Sequence, residues 1–242
     1  MSKEATLEKV LKLRKIFQTG LIPIVENHEA HPEELDKGSR ERYLYFTLVP
    51  ALNFQRNSPN LWKSAYETWQ DEKTNYVFFP EKVVVADYKT FQADLNKHKL
   101  SLQPNKHAHI WFTLCKTLHE EFESDPRKLL SNVLFDVPAA IQHLLDNKKQ
   151  FPYLSGPKLS NYWLYILDYY TDVKFQNKSE ISIIPDTHII QSSIQLGLVS
   201  DTAKPEEVAS AWKTILSGTE LSPSQMHSAL WHWSRNGFLP AI

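Results

Sequence analysis

The stretch Phe151-Pro152-Tyr153-Leu154-Ser155-Gly156-Pro157-Lys158-Leu159-Ser160-Asn161-Tyr162-Trp163, read with Ile184-Pro185-Asp186-Thr187-His188-Ile189 downstream, decides how this chain is understood. Pro152 and Gly156 punctuate a tight turn, and Pro157 suits a first helical position, where the N–H it lacks is not needed. The spacing then predicts a helix from about Pro157 to Tyr170, with Leu159, Trp163, Ile166, Leu167 and Tyr170 facing inward. The second stretch places a carboxylate before an apolar-periodic segment that reaches Leu196. One turn carries a lysine into a helix, and a later turn carries an aspartate into another.

Outward from these turns, helical periodicity recurs along most of the chain. Trp111, Leu114, Cys115, Leu118 and Phe122 gather on one helical face, and Cys115 reads as a plain core residue of that stripe. Trp62, Ala65, Tyr66 and Trp69 repeat the pattern, as do Val208, Ala211, Trp212, Ile215 and Leu216, and then Met226, Ala229, Leu230 and Trp233. Ser58-Pro59, Asp125-Pro126 and Ser222-Pro223 each set a capping side chain before a proline, and Ser222 with Gln225 spells a capping box. Two segments resist this reading. Tyr76 to Ala86 favours a strand through Val83-Val84-Val85, and Val173 to Ile184 mixes polar residues with a short alternating apolar run. Neither supplies a sheet large enough to change the class, so an all-α protein is expected.

The 242 residues, 42% hydrophobic and 23% charged, suffice for one large domain or two smaller lobes. A formal net charge of -1 gives no global attraction to a polyanion, so any nucleic-acid contact must come from a local patch. The lone Cys115 forbids an intrachain disulfide, a four-cysteine iron–sulfur cluster and a four-thiolate zinc site. With no apolar leader segment and no bilayer-length apolar run, an intracellular location, cytoplasm or nucleoid, is expected. The 6 glycines form no phosphate loop and no dinucleotide fingerprint.

Asp186 and Lys158 are the residues with chemistry to offer. Breaking an N-glycosidic bond passes through an oxocarbenium-like state, which an ionised carboxylate near the anomeric carbon stabilises while it orients a nucleophile. Asp186 can act in that way. A lysine amine, where partly neutral, can attack the same carbon and form a Schiff base. Taken alone, however, Asp186 reads as a helix N-cap, Lys158 as a solvated charge and His188 as a first-turn residue without a second metal ligand beside it. No metal site is expected.

The order of the pieces adds a further signal. LSGPKLSNYWLYIL, Leu154 to Leu167, followed by PDTHIIQSSIQLGLV, Pro185 to Val199, resembles the helix-hairpin-helix DNA glycosylases, the superfamily of endonuclease III and the 8-oxoguanine glycosylases. There a hairpin of type L-P-G-V-G-x-K precedes a V-D-T-H-type turn bearing the essential aspartate. RYLYFTLVPALNFQRNSPNLW, Arg42 to Trp62, resembles the family's early helix ending in a gap-filling glutamine, a place taken by Gln55. QPNKHAHIWFTLCKTL, Gln103 to Leu118, resembles the segment where a lysine–alanine pair precedes a long helix.

The resemblance implies a two-lobed all-helical fold with a cleft between lobes: one lobe of about 1–50 plus 171–242, the other about 51–170 and ending in the hairpin. It implies duplex DNA with a damaged base as partner, a monomer, and no cofactor beyond a monovalent cation at the hairpin. Asp186 takes the catalytic place, with Lys158 as the candidate lyase nucleophile. Gln55 and Asn53 stand for the gap left by a flipped base, and Trp163 and Trp231 for stacking on it. Gly156, Lys149, Ser160 and His188 stand for contacts to the DNA backbone.

The hairpin departs from the family pattern. With Gly156 on the first hairpin glycine, Lys158 occupies the place of the second, and Ser160 falls where bifunctional members hold their lysine. The stretch between helix and aspartate is longer than in endonuclease III-like members and closer to the divergent archaeal 8-oxoguanine glycosylases. An oxidised purine is therefore the expected target. A non-catalytic binding module on the same scaffold and a glycosidase of free nucleosides or nucleotides remain as alternatives.

Overall fold

The structure, a computed structural model, describes residues 2–24, 29–219 and 221–242. Among the described residues the regular structure is helical, with one isolated bridge from Asp136 to Gln176. In chain order the helices are α1 (Lys3–Gln18), α2 (Arg40–Leu48), α3 (Ser58–Gln70), α4 (Pro80–Val83), α5 (Tyr88–Lys97), α6 (Pro104–Phe122), α7 (Pro126–Asn132), α8 (Val137–Asp146), α9 (Pro157–Tyr170), α10 (Thr187–Gln195), α11 (Pro205–Leu216) and α12 (His227–Arg235). They divide into a terminal unit, Met1–Glu26 with Lys178–Ile242, and a central unit, Asn27–Asn177. No helix of the described residues is long and apolar enough to cross a membrane.

The central unit is built around α2. Arg42 to Leu48 are all buried, as expected of a helix enclosed on every side. Its one buried charge is answered by carbonyls: Arg42 Nε donates to Tyr170 O at 2.6 Å and Nη1 to Leu35 O at 2.7 Å. Tyr45 and Phe46 pack against Trp62, Phe78 stacks on Tyr45, and Trp111 of α6 meets Phe78 edge-on. Cys115 is buried in this core, as the α6 stripe predicts.

These contacts move the expected lobe boundary. Residues 27–50, read as part of the terminal lobe, belong with the central unit, because α2 is tied to the α9 end of the chain. Tyr43 donates to Asp172 at 2.8 Å, and Trp163 of α9 donates to Thr47 at 3.1 Å.

Tyr76 to Ala86 is helical and not a strand. A 3₁₀ turn over Asn75–Phe78 leads into α4, which starts at Pro80. Pro80 has no N–H for a ladder, and Trp111 Nε1 takes the Val77 carbonyl at 2.7 Å. Tertiary contacts thus override the propensity of the valine run.

The cap signals hold with one shift. Asp125 accepts the Arg127 N–H at 2.9 Å, and Gln225 accepts the Ser222 N–H at 3.0 Å. At α3 the cap is Asn57, whose side chain accepts from the Asn60 N–H at 3.0 Å, so Ser58 is already helical.

The terminal unit joins both ends of the chain. Val10 and Leu13 of α1 share a core with Ile189, Trp212, Leu230 and Trp233. Hydroxyl groups satisfy the polar atoms within it: Trp212 Nε1 donates to Ser193 at 2.8 Å, and Ser192 donates to the Leu230 carbonyl at 2.8 Å. Those bonds hold α10 in place against α11 and α12.

Candidate functional site

Asp186 stands at the mouth of α10 with extended backbone angles, and its Oδ1 accepts the Ile189 N–H at 2.9 Å. The side chain is half-buried. Capping occupies one carboxylate oxygen, and the other leaves the residue with a second acceptor. Ile189, the donor's own residue, is fully buried in the terminal core, which anchors the turn behind the carboxylate.

Next in the turn, His188 Nδ1 lies 3.1 Å from Ser234 Oγ, and its ring meets Trp231 edge-on at 4.9 Å. Arg235 sits over the other ring of this chain of contacts, 5.2 Å from the Trp231 centroid. Asp186, His188 and Trp231 are thereby brought onto neighbouring helices of one unit, with Trp231 only partly buried. Beside them His232 is held well down, at about 4, first by burial and then by the His227 and Arg235 charges, so it is neutral near pH 7. It stacks on Phe17 of α1.

The central unit holds the other candidates. Gly156 caps α9 with φ −69 and ψ 146, a conformation open to any residue. Its N–H donates to Tyr153 O at 3.0 Å, while those of Leu154 and Ser155 go to Pro152 O and Phe151 O. The turn therefore spends these three donors on itself. Lys158 and Lys149 are exposed.

Two of the expected contact residues are enclosed by protein. Ser160 is fully buried; its N–H donates to Gly156 O at 2.9 Å and its hydroxyl to Pro157 O at 3.3 Å, leaving no group for a strand. Trp163 is likewise fully buried and spends its indole N–H on Thr47, so its faces meet protein and not a base. Both lie on the inward side of α9, where periodicity had already placed Trp163.

The Gln55 loop and the hairpin come together. Gln55 is exposed with φ 50, in the left-handed region that costs a non-glycine residue, and Asn53 braces the loop by donating to Ser58 at 3.1 Å. Arg56 donates to Leu100 O at 2.8 Å, and burial lowers its guanidinium to about 10, which still leaves it charged near pH 7. His107 is pushed down to about 4, first by burial and then by Arg56 and Lys106; its neutral Nδ1 accepts the Leu102 N–H at 3.2 Å. Phe54 lies 5.0 Å from Tyr153 of the hairpin. That pairing spans a long sequence separation, and no local pattern announces it.

Glu29 was also missed. Tyr170 donates to it at 2.8 Å and Tyr162 at 3.2 Å, and burial raises its carboxyl to about 7. A single glutamate in a polar loop carries no sequence signal. Among the described residues, no group of three or more His, Cys, Asp or Glu side chains is placed to hold a metal ion.

No family model matches the chain, and no curated protein matches it in sequence. Among solved structures it is similar to an endonuclease III trapped as a covalent intermediate with DNA, in an estranged-adenine complex. The two share 16% sequence identity with a TM-score of 0.55, over 97% of this chain and 84% of that one. Over nearly its whole length, then, the chain has an endonuclease III-like all-helical fold.

Proposed function

We propose that this protein is a DNA N-glycosylase of base-excision repair, acting on duplex DNA that carries a damaged base. The observation that carries the reading is Asp186, fixed at the mouth of α10 in a Pro-Asp-Thr-His turn within an endonuclease III-like fold. Its carboxylate stabilises positive charge developing on the sugar and directs water to the anomeric carbon. The C–N bond then breaks, the base leaves with a proton, and an abasic sugar remains.

Lys158 extends the proposal to strand cleavage. A lysine amine that attacks the sugar in place of water gives a Schiff base, which opens the route to strand cleavage. Removal of an oxidised purine such as 8-oxoguanine is the finer form of the reading, and it rests on the divergence of the hairpin and on the length of the stretch between α9 and Asp186.

Excision from a panel of lesion-bearing duplexes under single turnover tests the glycosylase reading and the choice of lesion. Release of a base by the wild type and its loss in Asp186→Asn are expected; full excision by Asp186→Asn on every lesion refutes the assignment. Borohydride trapping on an abasic duplex is expected to give an adduct that disappears in Lys158→Ala. Turnover of a nucleoside monophosphate but not of duplex would instead mark a glycosidase of free nucleotides.

A further inference from the structure

Beyond the end of α9 the chain runs from Asp172 to Phe175 without turn or bend. It is fastened at both ends: the Asp172 N–H donates to Lys37 O at 3.3 Å, while the Gln176 N–H donates to Phe135 O at 2.9 Å and its carbonyl accepts the Val137 N–H at 3.2 Å. Midway, the N–H and C=O of Lys174 bond to no described residue. Alternate residues of an extended segment turn these groups to the same side, so Lys174 presents its pair to the gap between Lys37 and Phe135. That gap is a cavity of about 330 Å³, to which Gly38, Tyr43, Arg127, Phe135, Asp172 and Lys174 contribute. Two features keep it open. Leu134 and Phe135 stand in tandem at φ 54 and 55, a strained turn that limits the pairing to one bridge and leaves Leu134 71% exposed beside Phe135. A Cβ on Gly38 would lie 2.8 Å from Asp172 Oδ2, so any other residue there would displace that carboxylate from its bond with Tyr43.

A donor and an acceptor side by side, with cations around them, match the last residue of a polypeptide, which carries one N–H and one carboxylate. Lys37 and Lys174 are exposed, and neither is in an ion pair among the described residues. Arg127, held by Asp125 and by the Gly38 carbonyl, adds positive charge to the wall. The nearby carboxylates are already engaged: Asp172 accepts the Tyr43 hydroxyl at 2.8 Å, and Asp36 accepts the Gly38 N–H at 2.8 Å. A phosphodiester has acceptors only and would leave the Lys174 carbonyl unanswered. We propose that this cavity receives the free C-terminus of a partner protein. The last N–H of the partner donates to the Lys174 carbonyl, its carboxylate accepts the Lys174 N–H between the Lys37 and Lys174 ammonium groups, and an apolar last side chain packs on Phe135 and Leu134. The inference stands apart from the Asp186 reading, because the cavity lies wholly within the central unit and no step of excision uses it.

The test titrates the full chain with an acetylated glycine-serine-valine-leucine peptide bearing a free carboxyl terminus, followed by backbone amide NMR. The peptide is expected to shift the Lys174 amide resonance and slow its exchange, and the same peptide amidated at its end to bind roughly 10-fold more weakly or worse. Lys174→Gln keeps the N–H and is expected to weaken binding roughly threefold. Lys174→Pro removes an N–H that no described residue uses and is expected to weaken it roughly 10-fold. Gly38→Ala frees the Asp172 carboxylate to oppose the incoming one, with a loss of roughly 10-fold or more expected. Equal binding of the amidated peptide, or an unshifted Lys174 amide at millimolar peptide, overturns the site. Displacement of the peptide by a single-stranded oligonucleotide overturns it in favour of a nucleic-acid surface, and acetyl-leucine binding as tightly as the peptide overturns it in favour of a small carboxylate. Excision by Gly38→Ala at the wild-type rate is expected whichever way the titration falls, so failure here leaves the glycosylase reading standing. Melting temperatures equal to wild type assign the losses to the cavity and not to folding.

Discussion

Asp186 caps α10, and substitution can separate that cap from the catalytic role proposed for it. Asparagine caps a helix about as well as aspartate, so Asp186→Asn should keep the bond to the Ile189 N–H and leave stability within about 0.5 kcal/mol of wild type. Asp186→Ala removes the cap and should cost about 1 kcal/mol. Both variants should lose excision by at least about 100-fold, because an amide offers no negative charge to an oxocarbenium-like state. Urea unfolding beside single-turnover excision distinguishes the two roles; an Asp186→Asn protein that is as impaired in folding as Asp186→Ala would sink the separation.

At Glu29 the relevant variable is pH. Burial raises its carboxyl from 4.5 to about 7, so the folded protein holds this proton over a range where the unfolded chain has released it. Stability from this group is therefore largest below about pH 4.5 and falls as pH rises toward 7, by on the order of 2–3 kcal/mol. Glu29→Gln stays neutral and keeps an oxygen to accept from Tyr170 or Tyr162. The variant should gain stability relative to wild type between pH 5 and pH 8. A flat difference in urea unfolding across that window would show that burial does not set this carboxyl.

At the scale of elements, α9 shows both what the sequence discloses and what it conceals. Its start at Pro157 and end at Tyr170 follow from proline position and apolar spacing, and both are found as read. What periodicity cannot say is which inward residue meets a ligand and which meets another helix. Trp163 meets α2, and its N–H bond to Thr47 depends on a helix more than a hundred residues earlier in the chain. Trp163→Phe should therefore lower stability by about 1–2 kcal/mol, through lost volume and an abandoned hydroxyl partner. Its affinity for duplex DNA should not change; a selective loss of DNA binding at unaltered stability would return Trp163 to the base pocket.

The same limit explains Phe54 and Tyr153, whose contact arises only once α3 and the hairpin are folded. It explains Val83-Val84-Val85 as well. There a local preference for strand yields to Pro80 and to a core in which Val83 is fully buried and Val85 is 81% exposed. The Asp186 turn was legible because its cap, its proline and its neighbours lie together in sequence.

At the scale of the whole molecule, the two ends of the chain make one core. The terminal unit gathers Val10 and Leu13 from α1 with Trp212, Leu230 and Trp233 from the far end, and the named members of that core all lie before residue 27 or after residue 177. The central unit is continuous from 27 to 177 and carries its own aromatic core. A chain beginning after Gln18 therefore loses two fully buried aliphatic side chains, together with the packing of Leu7, Ile16 and Phe17, from one unit only. At about 1.5–3 kcal/mol for each fully buried side chain, the loss rivals the net stability of a typical domain. Amide exchange protection should disappear across α10, α11 and α12 and persist in α2, α6 and α9. Excision should vanish with it, because the Asp186 turn is anchored by Ile189 in the collapsed core. Retained protection across α10 in the shortened chain would show that the terminal core does not need α1 and would refute this account of how the two ends are joined.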